Sequence, residues 1–431
     1  MKATRPKAST SRRRQTATTE KLAVWLDDPA FGPLSHIGTL SRTGMDSVRF
    51  SYEDTWLNNP IAFQLDPSLS LSAGEFFPTD SNFGIFLDSC PDRWGQVLMK
   101  RRELVEAKKQ GRTRRDLHMW DFLLGVQDVT RMGALRFSSV DDTANPSFRA
   151  NEALAAPPVT QLAALQEVAL ELSRKKLDDL PLLEQWLKVL VAPGSSLGGA
   201  RPKANITGDG NSLWIAKFPA ADDDVDVALY EKLAHNLAKQ CGIVVPSSRL
   251  ERFGQGYHTF LVQRFDRVSG KRKFFTSAMA LLNRTDKSEA SYLNLAEFIA
   301  TNGSPKHIAE DLRELFRRVV FNVVIANRDD HLRNHGFLRT PEGWRLAPAF
   351  DMNPSAKKEV HALALNDSDT APDLATLLET AEFYRLGRSD ARDVMASVVK
   401  LVANWEKEAK SLGLSAEERA DFEHLLQLEM P

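Results

Sequence analysis

From Leu22 to about Phe137 apolar residues come in short runs, LAVWL, SVRFSY and PIAFQL, separated by Asp, Gly, Pro and Asn. This pattern predicts short strands joined by turns. The stretch DSCPDRWGQVLMKRRELVEAKKQ, from Asp88, changes period. Trp94, Val97, Leu98 and Val105 fall on one helical face, and Pro91 sits where a first turn accepts it. A polar segment at 138–158, SSVDDTANPSFRANEALAAPP, is the best candidate for a domain boundary. Thr160 to Val191 is predicted helix-rich, with apolar positions at Leu162, Leu165, Leu172, Leu183, Trp186, Leu187 and Leu190. The stretch PGSSLGGARPK, from Pro193, breaks it. SLWIAKFP (212–219) and FLVQRFDR (260–267) read as strands, and Val225 to Cys241 as a helix. Leu312, Leu315, Val319, Val320, Val323 and Val324 recur at helical spacing, and from about Asp373 the chain is helical to its end. A β-containing half thus precedes a helical half.

Composition narrows the possibilities. A chain of 431 residues, 42% hydrophobic, suffices for two or three domains with filled cores. Its 56 basic and 57 acidic residues give a net charge of −1, so no global electrostatic case exists for nucleic acid, membrane or acidic substrates. The charge is unevenly placed, however. Residues 1–21 carry Lys2, Arg5, Lys7, Arg12, Arg13, Arg14 and Lys21 against Glu20 alone, which reads as a disordered basic tail. A contact to nucleic acid or a partner is its alternative role. Cys90 and Cys241 cannot build a disulfide scaffold or a zinc quartet, which fits a reducing cytoplasm. With no signal-peptide core and no apolar run of about 18 residues, a soluble cytoplasmic protein is expected.

The candidate chemistry lies near the junction of the two halves. The loop Ser195, Ser196, Leu197, Gly198, Gly199, Ala200, Arg201, Pro202, Lys203 pairs glycines with small and basic neighbours, as a phosphate-covering loop requires. It is not a Walker A loop. Lys217 ends the run WIAK, and Glu231, fourteen residues on, lies on the next predicted helix, placed to pair with it. The strand through Gln263, Arg264 and Phe265 suits a hinge that meets an adenine edge. After the apolar helix comes NRDDHLRNHGFLRTPEGWRLAPAFDMNP, from Asn327. Here Asp329 can orient and deprotonate a hydroxyl, and Asn334 and Asp351 offer hard oxygen ligands suited to magnesium. A hairpin, Gly336–Leu338 with Trp344–Ala347, returns the chain so that Asp351 can meet Asn334. His331 and His335 invite a transition-metal reading, but no H-E-x-x-H arrangement supports it; His331 is expected to pack inside the loop and fix its shape.

Together these segments resemble the HipA family of serine/threonine kinases, toxins of bacterial toxin–antitoxin pairs. The Gly-rich loop is matched by Ser196 to Lys203 and the phosphate lysine by Lys217. The hinge is matched by Gln263 to Arg267, the D-x-H-x-x-N loop by Asp329, His331 and Asn334, and the metal aspartate by Asp351 in PAFDMNP. The likeness reaches back through the PDRWG patch to the β-rich segment from Leu22. It implies an α+β, two-subdomain protein-kinase-like fold with a β-rich N-terminal part (22–150) and a catalytic region (151–431) ending in α-helices. It also implies ATP and Mg2+ as cofactors and a protein substrate, with aminoacyl-tRNA synthetases among the family's targets. Autophosphorylation would fall on Ser196 or its neighbour Ser195. A HipB-like helix-turn-helix antitoxin is the expected partner, with DNA reached mainly through it. Asp351 is followed by Met352 rather than Gly, so DFG-type control does not transfer.

Two other functions share these residues. A small-molecule kinase would use the same site, and an inert ATP-binding co-repressor would use the body as a scaffold for an antitoxin on DNA. The complete polar set argues against inertness.

Overall fold

The computed structural model describes residues 20–44, 47–148, 161–174, 201–254 and 256–431. Most of the basic tail, the 149–160 boundary and the loop from Ser195 to Ala200 lie outside the described residues. Lys21 already belongs to the first strand, opposite Ser41, so the tail ends earlier than its composition suggested.

Four antiparallel strands form the N-terminal sheet, in the order Val48–Tyr52, Ser35–Arg42, Lys21–Leu26, Leu135–Ser139. Ser35–Arg42 was not expected from its sparse apolar pattern. It is admitted by Gly38, where a Cβ would stand 2.3 Å from the Phe50 ring. The PIAFQL run is not a strand. Its Phe63 and Leu65 are buried all the same. The Leu65 amide donates to the Tyr52 hydroxyl, which donates on to the Leu69 carbonyl, replacing a strand partner. The helix expected from Asp88 runs Arg93–Lys109, because Asp92 is its cap and Pro91 lies outside it. Trp94, Leu98 and Val105 face the core, whereas Val97 is exposed.

A second antiparallel sheet follows, in the order Lys203–Thr207, Leu213–Lys217, Thr259–Gln263, Ser248–Glu251. Strand alternation sends Ala204, Ile206, Ala216 and Phe218 to one face, where they pack with Trp94, Leu98, Leu165 and Leu172. Ile215 and Lys217 point to the other face. That face is walled by the helix Val227–Gln240, which is itself tied to the C-terminal helices Trp405–Leu412 and Ala416–Glu423. Asn236 donates to Glu408, and the Tyr230 hydroxyl donates to the Glu418 carbonyl.

The helical half is built around Ile308–Val324, whose Leu312, Leu315, Phe316, Val319, Val320 and Val323 are fully buried. Tyr292–Asn302 and Arg388–Val402 pack on it. It ends at Val324, and Ala326, with φ 55°, turns the chain sharply into the next loop. Among the described residues no helix is long and apolar enough to cross a membrane, and Cys90 and Cys241 are buried free thiols.

The strand expected over 260–267 stops at Gln263, and the physical reason is charge. Arg264 and Asp266 turn inward as an ion pair with no exposed side-chain surface, and Arg267 also reaches Asp266. Arg264 donates further to the Thr130 carbonyl and to Asn205, while Asp266 accepts from the Gly133 amide. Burial alone would raise the Asp266 pKa, but the two guanidiniums outweigh it and hold the carboxyl well below its usual range. Such a group contributes stability above its unfolded pKa of about 4, and that contribution is lost as pH falls toward its folded value. Asp266→Asn should lower the unfolding free energy at pH 7 by about 3 kcal/mol in urea titrations. It should also flatten the loss of stability between pH 5 and 2; an unchanged urea midpoint would deny the pair this role.

Candidate active site

The site forms between the second sheet and the loops that follow Ile308–Val324. Lys217 lies at the end of its strand, with its ammonium 2.5 Å from Glu231 Oε1 and 2.5 Å from Asp351 Oδ1. Glu231 is placed by the helix Val227–Gln240, whose Asp226 cap accepts from the Leu229 amide. Asp351 sits at φ 60°, a conformation an L residue adopts at a cost of about 1 kcal/mol, and its Oδ1 also accepts from Asn353. Burial opposes charge throughout the cluster. The two carboxylates nevertheless hold the Lys217 pKa above its ordinary value, and Lys217 with Lys203 draws Asp351 well below the carboxylate range. Glu231 is pushed up, because burial there exceeds the pull of Lys217.

These residues line a narrow cleft, closed by Ile215, Val262, Phe265 and Phe350. Phe265 and Phe350 stack with ring centroids 5.6 Å apart. Gln263 borders the cleft, whereas the Arg264 side chain turns away to Asp266. The amides of Gln263 and Arg264 donate to the Ser247 and Leu213 carbonyls.

The Asp329 loop borders a second, wider groove of about 1840 Å³, whose far wall is formed by Pro91, Arg93 and Gln96. Asp329 is exposed and pairs with Lys358, whose carbonyl is held by Arg328. Asn334 is buried; its amide donates to the Asp329 carbonyl, while its Oδ1 is buried with no hydrogen-bond partner. The chain after Asp351 returns to this loop, with the Asn353 amide donating to Asn327 and the Ser355 amide to the Ala326 carbonyl. The hairpin forms between Gly336–Thr340 and Gly343–Leu346.

The two histidines take different places. His335, rather than His331, packs inside the loop: its Nε2 lies 2.7 Å from Asp330, which also accepts from Tyr292 and Asn322. His331 lines the groove instead. Among the described residues no group of three His, Cys, Asp or Glu side chains is arranged to hold a metal.

Arg201 is paired with Asp223, and Lys203 forms a buried ion pair with Asp92. Ser195, Ser196, Leu197, Gly198, Gly199 and Ala200 lie outside the described residues. Asp92 and Lys358 are the ion-pair partners of Lys203 and Asp329 and were not among the expected residues. The PDRWG patch was the available sign of Asp92, whereas nothing in the AKKE segment distinguishes Lys358 from a solvated lysine.

A small antiparallel sheet joined to a helical half, with charged loops meeting at the seam, is an α+β protein-kinase-like fold. The model for the HipA N-terminal domain matches residues 22–138, and that for the HipA-like C-terminal domain matches 195–405. The serine/threonine-protein kinase toxin HipA of Shewanella oneidensis MR-1 is 22% identical over 374 residues, 78% of this chain and 76% of that protein. A Haemophilus influenzae protein designated a kinase is 28% identical over 183 residues, 37% of this chain. The match spans only 52% of that protein's length. The structure of the Shewanella HipA, HipB and operator DNA complex aligns with a TM-score of 0.63 at 17% identity, covering 95% of both chains. The chain belongs to the HipA family.

Removing Lys217 leaves Glu231 and Asp351 buried without their shared cation. Lys217→Met should cost about 3 kcal/mol of unfolding free energy at pH 8. The deficit should narrow at pH 5, because a carboxyl whose folded pKa is raised contributes stability at low pH and loses it as pH rises. Urea unfolding at the two pH values measures this, and a deficit independent of pH would contradict it.

Proposed function

We propose that this protein is a HipA-type kinase that transfers the γ-phosphoryl of ATP to a serine or threonine of a protein substrate. The observation that carries the reading is the convergence of Lys217, Glu231 and Asp351 in one buried cluster, beside a loop that offers an exposed carboxylate, Asp329. In this reading the adenine lies between Ile215, Val262 and Phe350, and meets the hinge through Phe265, since the Gln263 and Arg264 amides are engaged in the sheet. Lys217 faces the phosphates, and Glu231 and Asp351 keep it protonated.

The residues present fit a magnesium ion. Asn334 Oδ1 is a buried acceptor without a partner, and Asp351 is a carboxylate held ionised; both are hard oxygen donors. When bound, the ion would neutralise phosphate charge. Asp329 orients the acceptor hydroxyl and takes its proton. Lys358 must first leave it, and an exposed ion pair worth at most about 1 kcal/mol is no obstacle. The wide groove beside Asp329 suits a protein segment better than a small molecule. Ser196, or Ser195, is the proposed site of autophosphorylation, and an aminoacyl-tRNA synthetase is a proposed target. A HipB-like antitoxin is the proposed partner, consistent with the Shewanella complex, with DNA reached through that antitoxin.

Asp329→Ala should reduce phosphoryl transfer from Mg·ATP on the order of 10³-fold, as loss of a general base does, while nucleotide affinity stays within about threefold. Transfer of label from γ-labelled ATP, mapped by peptide mass spectrometry, measures the first and calorimetry the second. Undiminished transfer by Asp329→Ala would overturn the assignment. Nucleotide binding without transfer to any protein would favour the scaffold role.

A further inference from the structure

Between Lys100 and Arg115 the chain carries eight lysines or arginines against two carboxylates, Glu103 and Glu106, in a protein whose net charge is −1. The segment is the second half of the helix Arg93–Lys109 and the loop that follows it. Part of this charge has a structural use. Lys108 and Lys109 lie in the last turn, where cations complement the negative end of the helix. Arg101 turns inward and donates to the Leu172 carbonyl. Neither use accounts for the three arginines beyond the helix.

The loop is folded back by one buried carboxylate. Gly111, at φ 62°, turns the chain out of the helix, and the Arg112 amide donates to the Ala107 carbonyl. Arg112 then donates to both Glu103 oxygens, at 2.5 and 3.2 Å, and the Arg115 amide donates to Oε1 at 3.0 Å. Glu103 thus sets Arg112, Arg114 and Arg115 around the helix end that already carries Lys108 and Lys109. Arg114 and Arg115 also reach Asp116 and Asp121. With those two counted, the region still holds eight cations against four carboxylates. Every residue from Lys108 to Asp116 is exposed.

We propose that the end of this helix and its returning loop form a docking surface for the phosphate backbone of duplex DNA. Lys108 to Asp116, KKQGRTRRD, holds no apolar side chain. The surface therefore lacks the apolar core of a protein interface and the apolar face that anchors a helix on a membrane. A phosphate backbone needs neither. It is held by spaced lysines and arginines, each guanidinium able to meet two oxygens at once. ATP is the wrong anion for this surface. The helix is 17 residues long, which puts this end about 25 Å from its start at the groove beside Asp329. The inference rests on the reading above only for DNA being at hand. There DNA is reached through an antitoxin; here the chain adds phosphate contacts of its own.

Fluorescence anisotropy of a labelled mixed-sequence duplex of about 20 base pairs, titrated with the full chain between about 50 and 200 mM salt, reads the phosphate contacts. The triple variant Lys108→Gln, Lys109→Gln, Arg114→Gln should flatten the slope of log affinity against log salt by about 2 to 3. At about 100 mM salt its affinity should fall at least about tenfold. The basic tail is present in both proteins, so the difference belongs to this surface. Lys239→Gln, Lys306→Gln and Lys407→Gln together remove the same charge from exposed positions elsewhere and should leave the slope within about 0.5. Circular dichroism verifies folding; Arg114→Gln alone, outside the helix, should still lower the slope by about 1. An unchanged slope in the triple variant, or an equal loss in the control, would overturn the proposal. So would a wild-type protein that binds no duplex at about 50 mM salt. A triple variant that keeps DNA but loses duplex RNA or phosphatidylserine vesicles would overturn it too, assigning the surface to that polyanion. Phosphoryl transfer should match wild type in every variant, so failure here leaves the kinase reading standing.

Discussion

Asp266 is the constraint on which the rest of the structure turns. A carboxylate with no exposed surface must be matched in place, and Arg264 and Arg267 do so from its own strand exit. Their remaining donors then need acceptors, which come from carbonyls at Thr130, Arg131 and Gly133, more than 120 positions earlier in the chain. The loop that leads into the Leu135–Ser139 strand of the first sheet is thereby tied to the exit of the Thr259–Gln263 strand of the second.

Much of the fold was legible wherever one pattern dominated. The apolar repeat from Leu312 to Val324 became a buried helix because no competing interaction interrupts it. LAVWL and SVRFSY lie in strands for the same reason. PIAFQL misled because apolar content specifies burial, not backbone partner, and the Tyr52 hydroxyl met the Leu65 amide instead. FLVQRFDR misled because a strand pattern cannot reveal that its charged residues will find counter-charges at a remote loop. Ser35–Arg42 was invisible because its signal is a close approach at Gly38, which exists only once Phe50 is in place.

The candidate site was legible as an order of residue types and illegible as a set of neighbours. Lys217, Glu231 and Asp351 follow one another in the sequence at spacings that name their elements, and the structure brings their side chains together. The histidines show the limit of such reading. His331 and His335 are indistinguishable by type and position in the loop, and only the buried Asp330 with Tyr292 and Asn322 selects His335 for the interior. Asp92 contacts Lys203 across 111 positions of sequence, a separation at which spacing carries no information.

The helix that bears Glu231 has a further consequence for control. Its outer face is held by Glu408, and its Tyr230 hydroxyl by the Glu418 carbonyl, so the last two helices of the chain brace it from behind. A kinase whose glutamate helix is free can switch by swinging that helix out and breaking the lysine contact. Here the same movement would have to unseat the C-terminus as well. Displacing the Glu231 helix would therefore break these contacts to the C-terminal helices together with the Lys217–Glu231 pair.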